Sequence, residues 1–66
     1  MNINMSHIWS IKKNHNVANF DMETGVKFTD EEKEVAKKAV IDGEYAKESP
    51  ESGRLYLTKK GLQLLA

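Results

Sequence analysis

The sequence predicts an α+β fold: a small antiparallel sheet of two hairpins, about five short strands, with one main helix over about 30–42 and a short C-terminal helix over about 59–65. Three observations predict it. Residues 3–11 alternate, with Ile3, Met5, His7, Trp9 and Ile11 on odd positions and mostly polar residues between them, which is the period of a half-buried strand. Thr29-Asp30-Glu31-Glu32 has the form of a capping box ahead of a helically spaced apolar set. Two short apolar stretches flank Ser49-Pro50-Glu51-Ser52-Gly53, a loop with hairpin chemistry.

In chain order, a two-residue turn at Asn14-His15 pairs Ile11 with Ala18, Trp9 with Phe20 and His7 with Met22, so that the apolar faces coincide. Asp21, Glu23, Thr24 and Gly25 make the next turn, and Val26 and Phe28 a short third strand. The main helix runs Asp30 to Asp42, with three acids at the positive end of its dipole, Val35, Ala36, Ala39 and Val40 on one stripe, and Gly43 as its stop. Tyr45 to Glu48 and Arg54 to Leu57 pair across the five-residue loop, placing Tyr45 opposite Leu57. Thr58 caps the final helix, which carries Leu62, Leu64 and Leu65. The order is β-β-β-α-β-β-α over one domain, residues 1–66, with Trp9, Phe20 and Phe28 facing the core and Tyr56 the aromatic most exposed.

Composition narrows the function. A chain of 66 residues with no cysteine has neither disulfides nor thiolate chemistry, and a core of this size supplies about 3 to 5 kcal/mol. Apolar runs stop at three residues, as at Ala39–Ile41, where a membrane span needs about twenty. Met1-Asn2-Ile3-Asn4 lacks the basic and apolar start of a secretory leader, so the expected compartment is the cytoplasm, with no membrane association. Ten basic and ten acidic residues balance overall. They are unevenly placed: Lys12 and Lys13 stand alone in residues 1–20, six acids meet two lysines in 21–34, and Arg54, Lys59 and Lys60 meet no acid in 54–66. A dedicated nucleic-acid binder shows a clearer basic excess.

Catalytic constellations are absent from the pattern. His7 and His15 are the only imidazoles and stand at no metal-ligand spacing. Asp30, Glu31, Glu32 and Glu34 point outward from a first helical turn, where capping and the dipole explain them, whereas acid-base catalysis needs carboxyls converging on one pocket. No nucleophile motif and no glycine-rich phosphate loop occurs. The sequence therefore reads as a non-enzyme without metal or cofactor. Lys59 and Lys60 follow the cap Thr58, at the helix end where cations are unfavourable. They are either an anion-binding pair or two solvated lysines.

The segment Gly53-Arg54-Leu55-Tyr56-Leu57-Thr58-Lys59-Lys60-Gly61-Leu62-Gln63-Leu64-Leu65 resembles the end of the winged-helix domain of small bacterial transcription regulators, in which a wing strand runs through Leu-Thr-x-Lys-Gly into a Leu-rich helix. The resemblance covers about the C-terminal third of the chain. It implies that Tyr45 to Leu57 is the wing and Thr29 to Asp42 stands at the recognition helix. It further implies phosphate contacts at Lys37, Lys38, Arg54, Lys59 and Lys60. Two functions follow from the sequence. The first is a protein-binding adaptor or inhibitor that uses a surface around Arg54, Tyr56, Lys59, Lys60, Lys37 and Lys38, alone or as a homodimer. The alternative is a winged-helix-like nucleic-acid binder using the basic C-terminal patch.

Overall fold

Asn4 opens a helix where alternation predicted a strand. Its side-chain oxygen accepts the Ser6 amide at 2.8 Å, the bond that starts a helix by satisfying one of its free N–H groups. Helix α1 then runs Met5–Asn14 and ends at His15, whose left-handed backbone (φ 62°) lets its amide reach the Ile11 carbonyl. Lys12 and Lys13 lie in its last turn, the favourable end for cations. These facts come from a computed structural model that describes residues 3–66. Met1 and Asn2, the first half of the segment expected to lack a leader, fall outside the described residues.

The second helix, α2, spans Asp30–Asp42 as the capping box required, with the Thr29 hydroxyl and Glu32 carboxylate each bonded to the other's amide. Gly43 ends it, but the left-handed residue is Glu44 (φ 63°). Gly43 is needed for space instead, since a Cβ there would sit 2.6 Å from the Tyr45 ring. Strands β1 (Ala46–Glu48) and β2 (Leu55–Leu57) form the one sheet among the described residues, antiparallel and two-stranded. Helix α3, Lys59–Gln63, follows the Thr58 cap and is shorter than the predicted 59–65.

The expected two hairpins and five strands are therefore overturned: among the described residues, three helices accompany a single hairpin. Between α1 and α2 the only pairing is one isolated bridge, Phe20 with Lys27, closed by the Asp21 to Val26 and Phe28 to Asn19 bonds. His7 does not face Met22 across a sheet; the Met22 amide instead donates to Ser6 Oγ. The surviving hairpin is also shifted by one residue. Ala46 pairs with Leu57, not Tyr45, because this register puts Ala46 and Leu55 inside and Lys47 and Tyr56 outside, whereas the predicted one would aim Lys47 at the core. Ser49 donates to the Arg54 carbonyl, leaving a four-residue loop that turns on Gly53 at φ 72°.

The core is built from Ile8, Ile11, Val40, Ala46 and Leu55, with Val17, Ile41, Tyr45, Leu57 and Leu65 packed around it. It contains one side of α1 and not the other. Ile8 is 0% exposed while Trp9 is 38% and Phe20 52% exposed, so the expected inward placement of Trp9 and Phe20 is reversed. Phe28 is half-buried. A two-way bond straps α1 to β2: the Leu55 amide donates to the His15 carbonyl at 2.8 Å, and His15 Nδ1 donates to the Leu55 carbonyl at 3.2 Å.

Candidate functional site

The basic residues singled out in the sequence meet different partners. Lys37 pairs with the Glu48 carboxylate across α2 and β1, which raises its pKa. Lys38 projects from α2, Arg54 stands exposed just before β2, and Lys59 is exposed at the start of α3. Tyr56 stacks on His15 with ring centres 4.5 Å apart. Lys59 and Lys60 border a shallow hollow that also holds Glu44 and Glu48, so its field is mixed in sign.

Lys60 has a structural explanation that its place on α3 concealed. Its ammonium donates to the Gly43 carbonyl at 2.8 Å and lies 4.5 Å from the centre of the Tyr45 ring. It is a cation at the C-terminus of α2, where the dipole favours it. The Thr58 hydroxyl similarly donates to the Glu44 carbonyl while accepting the Gly61 amide, so one turn caps the end of α2 and the start of α3. Lys60→Ala is expected to cost about 1 kcal/mol, the sum of a modest cation–π contact and a terminal cap. Lys59→Ala should change stability by less than about 0.5 kcal/mol. Urea midpoints measure both, and equal effects would refute the capping role.

The face of α1 turned from the core carries the feature that alternation obscured. Met5, Trp9 and Lys13 recur four residues apart, which aligns them along one side of a helix. Phe20 and Met22, brought across by the Ser6 to Met22 bond and the Phe20–Lys27 bridge, lie beside them. Trp9 and Met22 form a ridge between two hollows: a groove of about 620 Å³ that reaches Phe20 and Lys13, and a second one bordered by Met5 and Asp21. All four apolar residues are exposed. Lys12 sits over Trp9, its ammonium 5.4 Å from the ring centre. One signal in the sequence marked this face. Ile8 breaks the alternation and sits three residues before Ile11, a helical spacing that sends Trp9 outward.

On the opposite flank His7 is 5% exposed and stacks on Phe28 with ring centres 4.4 Å apart. Its Nδ1 is buried with no hydrogen-bond partner among the described residues. Burial lowers its pKa below the ordinary 6.5, against the opposing pull of Asp21 and Glu32. The unfolded chain therefore takes up a proton more readily than the folded one, and stability present above about pH 6.5 is lost as pH falls through the folded value. Asp21 and Glu32 add a separate loss at lower pH. Their carboxyls are held below the ordinary range by hydrogen bonds, chiefly from Asn4 to Asp21 and from the Thr29 amide to Glu32. Urea midpoints are expected to fall between about pH 7 and pH 5 in the native chain and to stay level there in His7→Phe. The same slope in both chains would remove His7 as its origin.

No family model, curated protein or solved structure matches this chain. No helix among the described residues is long and apolar enough to cross a membrane.

Proposed function

We propose that this chain is a non-catalytic binding module that acts by protein–protein contact, as an adaptor or inhibitor, in a reducing cytoplasm. One observation carries the reading: Met5, Trp9, Phe20 and Met22 lie on one face and stay exposed, in a chain whose buried core is aliphatic. Large apolar side chains grouped on a surface mark interaction sites, and aromatic and Met residues are the ones enriched where proteins meet. A short chain gains doubly from such contact, because a partner that binds only the folded form adds stability its core lacks.

The test compares the native chain with Trp9→Ala and Phe20→Ala as immobilised baits under mild conditions. The native chain is expected to retain a discrete set of proteins that both variants lose. Retention that is indifferent to the two substitutions would overturn the proposal.

A second reading, a winged-helix-like nucleic-acid binder, is favoured by the order of elements, with two helices before the hairpin and one after it. Against it stands the charge: α2 carries three acids in its first turn, Lys37 is paired, and Lys60 is engaged by Gly43 and Tyr45. Titration of random-sequence duplex and single-stranded DNA at low salt separates the readings. Docking on protein predicts no salt-sensitive binding. Micromolar binding that disappears with salt and in Lys59→Glu with Lys60→Glu would put the second reading in its place.

A further inference from the structure

Resting on the docking role of the Trp9 face, the geometry points to the kind of partner it takes: an acidic peptide segment that lays an apolar side chain in the groove between Trp9 and Phe20. The charge around that groove is positive. Lys13 lines it and Lys12 stands over Trp9, while the lining contains no acid. Asn16 accepts the Ser10 hydroxyl on its oxygen at 3.2 Å, and Asn19 accepts the Lys33 ammonium on its oxygen at 3.1 Å. Each amide keeps its NH2 to offer as a donor.

An apolar floor edged by two ammonium groups and two amide donors is complementary to carboxylates and backbone carbonyls around an apolar anchor. Asp21 borders the neighbouring hollow and already accepts Asn4 and the Glu23 and Thr24 amides. The occupant's acids are therefore directed to the Lys12 and Lys13 end. Single-stranded nucleic acid would also present acceptors, but its affinity depends on neutralising several phosphates. Lys13 lines the groove and Lys12 stands over Trp9, while Lys33 is already held by Asn19 and Asp30.

Trp9 is the one tryptophan of the chain, so its emission reports occupancy of the groove directly. Random displayed peptides selected on the full chain are expected to carry an aromatic or Leu anchor flanked by Asp and Glu. As synthetic peptides free of tryptophan they should shift Trp9 emission and bind about tenfold or more weakly to Lys12→Glu with Lys13→Glu, whose folding is checked by circular dichroism. Neutral or basic peptides that still shift Trp9 would overturn the acidic partner and leave the docking role standing. A selection in which no peptide moves Trp9 emission would overturn both. Stronger binding of oligo(dT) than of any peptide, or a concentration-dependent dimer lost in Phe20→Ser, would assign the groove to nucleic acid or to a second copy and overturn the inference.

Discussion

Replacing Gly61 by alanine is expected to remove a large part of the chain's stability. Gly61 is buried in α3, and a Cβ there would stand 2.1 Å from the Tyr45 carbonyl oxygen and 3.0 Å from a Leu57 methyl. The oxygen belongs to the backbone, and the same carbonyl accepts the Thr58 amide at 3.0 Å, so it cannot move aside without releasing the seam between the hairpin and α3. Overpacking of this kind costs about 1–3 kcal/mol and sometimes more, against a total of about 3 to 5 kcal/mol for a chain this small. A thermal scan by circular dichroism should show the midpoint lowered by about 10 to 20 °C, or no cooperative transition. Gly53→Ala is the control. It meets nothing within 4 Å and bears only the strain of φ 72°, about 1 kcal/mol. Equal stability of the Gly61 variant and the native chain would show that α3 does not rest on Tyr45.

Ile8→Ala is expected to destabilise far more than Trp9→Ala, although the second removes the larger side chain. In α1 the two neighbours point in opposite directions, Ile8 into the core with Ile11 and Val40, Trp9 to the surface. Truncating a fully buried Ile costs about 2–5 kcal/mol because a cavity adds to the lost transfer energy, enough to unfold most of the chain. A strand over residues 3–11 would reverse the order, with Trp9 inside and Ile8 outside. Urea titrations of the two variants therefore decide between helix and strand for this segment. A larger loss in Trp9→Ala would restore the strand.

The helix Asp30–Asp42 was legible because its signals are local: Thr29 and Glu32 bond to each other's amides within one turn. The presence of the C-terminal hairpin, though not its register, was legible for the same reason, its turn residues lying between the strands they join. Residues 3–28 were misread through a real ambiguity. Met5, His7, Trp9 and Ile11 satisfy a period of two, while Met5 with Trp9 and Ile8 with Ile11 satisfy a helical period. The cap at Asn4 and the favourable last turn at Lys12 and Lys13 were present in the sequence as signals for the helix. Met5 and Trp9 were expected to face the core of a strand, and the candidate surface was accordingly placed at the other end of the chain.

The chemistry of single turns was determined by the sequence alone: the capping box of α2, the cap at Thr58, the outward Tyr56 and the α+β class. Tertiary structure alone decided which of two periods residues 3–11 follow, the one-residue register of the hairpin, and the role of Lys60. The physical reason is the range of the interactions. A cap is settled among four neighbouring residues, whereas the direction of Ile8 depends on Val40 and Leu55 being there to bury it, and the value of Lys60 on a carbonyl seventeen positions away at Gly43. A lysine at the start of one helix is unfavourable by every local rule; it is explained once the fold brings the end of another helix beneath it.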